Sequence, residues 1–517
     1  MSQMLKSTSA MGAATLTSRL LGLVREQVYA GFMGTSAVAG AFQMAFVVPN
    51  LFRRLLGEGA LTAAFIPIFK QKEKTVGKAD MWRSANAVIS GLIVSAAAVT
   101  GLAILGVSLV LSAVPVQQNT RLMLELLRVM FPYMLLVCLA SVFMGMLNAR
   151  GHFFIPSLGA AMLNVVMIAS VLLLAPRMGD RPETQIFGLA IGVLLAGVAQ
   201  AGFQVPSLRR EGYRYQWVSP WRDETVREVV RKMLPASVGV AAFQINVLLT
   251  MGLAFGVYAP IVAAFQYAVR LMEFPQGVFG ISLATYLLPT LSGLAAEKKY
   301  PEFRATLRQG LAYLLFVNLL ASVLLLTLAE PMIRLLFEHG RFDKGSTAEV
   351  SLALACLAPG LVCFSSVNIL ARAFYALGDT RTPMRISVFC LALNLLFVLL
   401  LLPAYRAAGL GVANTLSSIF NVGCLCYGLR RKLGKLEWGP LRKSLGALLG
   451  AAALAGLVAW ALNAWWTRQL GHATLWFRLG QVFVPMTGAT LIYFGVSLWA
   501  RVPAAEEMLG FLRRRLG

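Results

Sequence analysis

Long apolar runs broken by short polar connections repeat along the whole chain. A helix needs about 20 such residues to cross the hydrocarbon of a bilayer. Counting runs of that length predicts about fourteen transmembrane helices, near 8–33, 37–69, 84–113, 122–149, 153–176, 185–208, 234–256, 260–294, 306–328, 347–377, 382–404, 407–430, 441–465 and 475–500. The second and eighth runs are too long for one straight crossing and hold Pro49 and Pro275, so bent or tilted helices are expected there. The expected fold class is an all-α polytopic membrane protein.

The runs read as two repeats. Gly151 precedes Pro156, and Gly378 precedes Pro383, by the same spacing in the fourth-to-fifth and tenth-to-eleventh connections. Gly188 leads to Leu208-Arg209-Arg210 as Gly409 leads to Leu429-Arg430-Arg431, and Ala64-Phe65-Ile66-Pro67 is matched by Tyr286-Leu287-Leu288-Pro289. The three matches fall in one order at offsets of 227, 221 and 222 residues. They predict an N-lobe of six helices over 1–210, a C-lobe of six over 234–432, and two C-terminal helices with a basic tail over 433–517. Between the lobes, 211–233 mixes Trp221, Val226, Val229 and Val230 with Arg222, Arg227, Arg231 and Lys232, the pattern of an amphipathic linker helix at the cytoplasmic interface. Because six is even, both repeats start on the same side, and a cleft between them is the expected site. Basic residues concentrate in alternate connections, including Lys70 to Arg83, Arg209 to Lys232 and Arg430 to Lys443, which puts both termini in the cytoplasm.

Composition agrees with a membrane chain: of 517 residues 58% are hydrophobic and 13% charged, with a mean hydropathy of +0.72. The net charge of +24 is dispersed over short connections, so nucleic acid is not an expected partner. Six cysteines in apolar runs and three scattered histidines make no metal-binding pattern, and no metal or cofactor is expected. The first run already carries Arg19 and Arg25, so it is expected to stay as a helix and not to be a signal peptide. The longest connections, near 209–233 and 330–346, are too short for the acidic and metal-binding loops of a membrane transferase, and an enzyme is not expected.

Ionised groups at apolar depth carry the functional signal, because an isolated arginine in hydrocarbon costs from about 3 to about 15 kcal/mol according to the reference state. Arg54 and Glu58 are four apart and Arg270 and Glu273 three apart, spacings that let each pair neutralise itself on one helical face. Arg19 and Glu26, seven apart, nearly eclipse two turns on. Arg25, Arg53 and Arg372 are left without a local partner, so the excess is positive. Arginine's planar fork of donors suits phosphate, and the expectation is a cavity for a phosphorylated or carboxylated substrate. The plainer alternative is that an arginine snorkels to head groups or locks a neighbouring carbonyl. It weighs most for Arg372 and Arg54, and least for Arg19, Arg53 and Arg270. Buried amides such as Asn164, Gln200, Asn318 and Asn394 are expected to bond between helices.

Four stretches bring a family likeness into focus: Ser18-Arg19 through Arg25-Glu26, Pro49 through Pro67, Arg270 through Pro289, and Phe374 through Pro383. Together they resemble the MurJ/MviN family of bacterial lipid II flippases, in the multidrug/oligosaccharidyl-lipid/polysaccharide exporter superfamily, and the similarity spans nearly the whole chain. The resemblance implies two six-helix lobes around a cationic central cavity, two further helices forming a lipid-facing groove, and alternating access in the bacterial inner membrane. It implies lipid II as substrate, with Arg19, Arg25, Arg53 and Arg270 binding its head group. Membrane lipids and the cell-wall synthesis machinery follow as partners. Where a well-known branch carries acids, this chain has Gly40 and Val269, which leaves Glu26, Glu58 and Glu273 as candidates for pairing or for coupling to protons or ions. The membrane potential or a monovalent cation is the expected energy source. A family sodium site does not carry over, since the seventh run offers Gln244 and Asn246 but no acid. The alternative function is export of drugs or polysaccharide repeat units, against which a positive cavity weighs for cationic drugs.

Overall fold

A computed structural model describes the backbone over 2–54, 61–434 and 439–516, and the side chains within those ranges except 2–16, 62–63, 160, 235–240, 440 and 511–516. Among the described residues the secondary structure is helical throughout, with no strand. The chain divides into two compact units, Met1–Ala263 and Ala264–Gly517.

All fourteen apolar runs fall on helix where they are described. Among the described residues eight helices can cross a membrane by length and composition, or ten when each of two bent pairs counts as one span. The difference from fourteen has identifiable causes. Gln118–Met130 and Tyr133–Ala149 meet at 42°, and Lys344–Leu357 and Gly360–Ala376 at 45°, with Pro132 and Pro359 at the breaks. Residues 381–433 form two helices joined at Arg406, whose φ of 48° and ψ of −128° are not helical. Asn394 Nδ2 donates to Ser417 Oγ over 3.2 Å, whereas residues this far apart on a straight helix would stand about 35 Å apart. The segment therefore folds back on itself, and Gly409 permits it: a Cβ there would lie 2.5 Å from the Leu401 carbonyl oxygen. The predicted eleventh and twelfth helices are its two arms.

In the first unit Ser2–Met33 packs on Phe154–Ala169, with Asn164 Nδ2 donating to the Ser18 carbonyl over 3.0 Å. Aromatic rings run from buried Tyr29 and Phe42 through half-buried Phe46 to buried Tyr133, each within 6.2 Å of the next. After Tyr213 the chain is irregular, with a bend at Pro220 and a turn at Trp221 and Arg222, until Asp223 caps Glu224–Val257, its carboxylate accepting from the Thr225 and Val226 amides. The amphipathic stretch thus forms the first turns of the helix that carries the seventh apolar run.

In the second unit Pro260–Pro275 leads through a π-helical stretch, Gln276–Ile281, into Ser282–Ala296. The last two long helices, Gly439–Gln469 and Leu475–Trp499, pack on each other and on Tyr300–Thr327. There the buried Tyr493 hydroxyl donates to the Phe316 carbonyl over 2.7 Å.

The repeats recur in atomic detail. Gly151 and Gly378 both take positive φ, 87° and 73°, ending their helices. His152 N donates to Leu147 O at 2.9 Å and Asp379 N to Phe374 O at 3.0 Å, the same 6→1 closure. The π-helical Gln276–Ile281 has its counterpart in π-helical Arg53 and Arg54 once the 222-residue offset is applied. Such interruptions free backbone groups and bend a helix at the position where function needs it.

Candidate functional site

The first unit holds Arg19, Arg25 and Arg53, three of the four arginines expected to bind a substrate. On Ser2–Met33 the face bearing Ser18 and Gly22 packs on Asn164, which leaves Arg19 exposed. Two turns further, Arg25 Nη2 donates to Glu26 Oε1, both side chains being largely buried. The Arg25 guanidinium also lies 5.5 Å from the Tyr29 ring centroid. Its Nε is buried and has no hydrogen-bond partner.

Glu26 thus pairs with Arg25, not with Arg19 as the spacing predicts. A buried carboxylate needs a cation at the same depth, and Arg19 points to an exposed surface. Arg25, expected to lack a local partner, has one next to it in sequence.

Arg53 follows Ala37–Phe52 on a π-helical turn, where its Nε donates to Asn50 Oδ1 over 2.8 Å. Its partner there is neutral, so a ligand oxygen can replace the amide without leaving a charge behind. Glu58 lies outside the described residues, and with it the expected Arg54–Glu58 pair.

In the second unit Arg270 Nη1 donates to Glu273 Oε2 over 2.8 Å, as the i,i+3 spacing predicts, and both side chains remain partly exposed. Arg372, expected to lack a partner, donates to Thr285 Oγ1 at 2.7 Å and to the Ile281 carbonyl at 3.5 Å. That carbonyl closes the π-helical stretch, so Arg372 locks Gly360–Ala376 to the bend. Thr285 and Asn50 carried no signal in the sequence; an arginine three or four residues from an amide on a helix is the pattern that finds Asn50. Among the described residues no group of three histidine, cysteine or acidic side chains could hold a metal ion.

Paired membrane repeats with arginines at apolar depth define a multi-pass membrane transporter. The fold is shared with the structure titled "Lipid II flippase MurJ, inward closed conformation", at a TM-score of 0.75 and 22% identity over 96% of this chain and 99% of that one. It is also shared with an inward-facing multidrug resistance MATE family transporter of the MOP superfamily, at a TM-score of 0.64 and 16% identity over 83% of this chain and 99% of that one. The family model "Lipid II flippase MurJ" matches residues 29–480. The "Probable lipid II flippase MurJ" of Haemophilus influenzae is 33% identical over 512 residues, covering 93% of this chain and 98% of the relative. The chain belongs to the MurJ family of lipid II flippases.

Proposed function

We propose that this protein moves lipid II from the cytoplasmic to the periplasmic leaflet of the bacterial inner membrane by alternating access, with both of its termini in the cytoplasm. The observation that carries this reading is the full-length family membership of a chain whose arginines sit in apolar helices. Arg19, Arg25, Arg53 and Arg270 bind the diphosphate and sugar head group, while the polyprenyl tail stays in lipid.

Each arginine is held for this in its own way. Arg53 exchanges a neutral amide for a phosphate oxygen. Arg25 keeps its charge balanced by Glu26, and its buried Nε–H is left without a hydrogen-bond partner. Arg270 is presented by its bond to Glu273 next to the π-helical bend. Glu26 and Glu273 therefore act first as orienting partners of arginines, and protonation of either would release one. Glu58 is the third candidate for coupling. The membrane potential is a second energy source, since each elementary charge moved through 100 mV is worth about 2.3 kcal/mol.

The likeness to multidrug transporters is one of fold, and the excess of arginine opposes a cationic cargo. Depleting the native flippase of a host cell and expressing this chain tests the reading. Restored outer-leaflet lipid II is expected; drug efflux without lipid II movement would favour the exporter alternative.

A further inference from the structure

The first unit holds a cavity whose lining includes Phe52, the neighbour of Arg53. The cavity, of about 640 Å³, is enclosed by Phe52, Leu61, Met134, the Val88–Val99 part of Lys78–Ala113, and the stretch from Pro220 to Met233. Its lining is apolar except for Ser95. Among the lining residues Ser95, Ala98 and Val99 are exposed, and their helix continues as exposed Leu102, Leu105 and Leu109. The cavity therefore opens onto the surface that faces hydrocarbon.

Its other end lies at head-group level. The irregular stretch before the helix carries exposed Tyr215, Trp217 and Trp221, side chains that settle at the membrane interface. That stretch is fastened over the cavity by Asn86 Nδ2 donating to the Arg214 carbonyl at 3.0 Å and by a 3.1 Å hydroxyl contact between Ser90 and Tyr215.

Charge is disposed to match. At about 100° per residue, Val226, Val229, Val230 and Met233 share the face turned to the cavity; Arg227 borders that face beside exposed Val230 and Leu234, and exposed Arg222 follows Trp221 of the lining, whereas Arg231 stands on the far side with Glu224. The nearby acids face elsewhere or are already engaged. Asp223 caps the helix, Glu228 pairs with Lys232 at 2.7 Å, and Glu224 lies on the side opposite the cavity. Arg222, Arg227 and Arg231 are exposed and make no ion pair among the described residues.

From these observations we infer that the cavity takes one acyl chain of an anionic phospholipid, whose phosphate sits on Arg222 and Arg227. An apolar slot continuous with hydrocarbon and edged by arginines at head-group level fits this ligand and no soluble one. Phe52, which precedes Arg53, forms one wall, so occupancy is felt at the turn that presents Arg53.

The test uses the full chain in nanodiscs containing a small fraction of brominated phosphatidylglycerol or brominated phosphatidylcholine, and reads the quenching of Trp221 as the difference from Trp221→Phe. Quenching is expected to saturate at a fraction of phosphatidylglycerol on the order of tenfold lower than of phosphatidylcholine. Arg222→Gln with Arg227→Gln should erase that preference. Ala98→Phe, which fills the slot, should lower quenching by both lipids; if it fails to fold by gel filtration, the arginine pair decides alone. Equal quenching by the two lipids, or a preference that survives the arginine substitutions, would overturn the assignment.

Discussion

The imidazole of His152 lies 2.7 Å from the carboxylate of Glu211, joining the connection after Tyr133–Ala149 to the end of Val205–Arg210. One repeat later the same two places hold Asp379 and Lys432, an ion pair in which the acidic and basic residues have changed places. Arg150 reinforces the first pair by bonding both Glu211 and Glu73. The repeats thus conserve a staple between two chain segments while reversing its polarity.

Both staples predict acid sensitivity. Hydrogen bonds from His152 and Arg150 hold the Glu211 carboxyl below its ordinary range. For Asp379 burial acts upward, but bonds from Lys432 and Thr382 outweigh it, and its pKa is also lowered. A carboxylate with a depressed folded pKa contributes its stability fully above the unfolded value of about 4, and loses it as pH falls below that value. The melting temperature in detergent should therefore drop between about pH 5 and about pH 3. The drop should be shallower in Glu211→Gln and Asp379→Asn, and identical slopes in all three proteins would refute the assignment.

Gly40 should tolerate no side chain. A Cβ there would lie 2.0 Å from the Ala259 carbonyl oxygen and 2.6 Å from its carbon, both backbone atoms. Gly40→Ala is expected to destabilise by about 1–3 kcal/mol, read as a lower melting temperature. Gly101→Ala, which meets nothing within 4 Å, should match the parent. The same contact explains why this chain carries no acid at position 40: an aspartate would meet the same obstruction.

Arg372 and Thr285 should be energetically coupled. A double-mutant cycle with Arg372→Met and Thr285→Val is expected to give an interaction energy of about 0.5–2 kcal/mol. Additive losses would mean that the 2.7 Å bond contributes nothing to stability.

Glu338 anchors the final helix pair within the second unit. Its carboxylate bonds Arg478 at 3.4 Å and Thr347 at 2.8 Å and lies 3.6 Å from Arg334, while Arg478 also donates to the Glu338 and His472 carbonyls. Glu338→Ala leaves two arginines without their shared anion and should cost about 3–5 kcal/mol. Earlier proteolysis of the 469–475 connection would report the loosening, and unchanged cleavage would count against the anchor.

Much of this organisation is readable from residue pattern. Apolar runs locate the helices, and Gly151 and Gly378 mark equivalent turns because each helix end needs a residue at positive φ. The Arg270–Glu273 bond follows from spacing alone. The remainder depends on partners brought together by folding. Arg372 meets Thr285 and Glu211 meets His152 across 87 and 59 residues, and Arg25 takes Glu26 because burial, not helical phase, selects the ion pair. The hairpin at Arg406 was legible as a gap between two runs, but its tightness rests on Gly409 touching Leu401.

The most direct test of the account is lipid II translocation by the purified chain in liposomes, with Arg53→Ala and Arg270→Ala beside it and Arg121→Ala, an exposed surface pair with Glu125, as control. Translocation by the parent and the control, with loss of at least about tenfold in each of the two cavity-arginine variants, is the predicted result. Full activity in both Arg53→Ala and Arg270→Ala would contradict the assignment of these arginines to the lipid II head group.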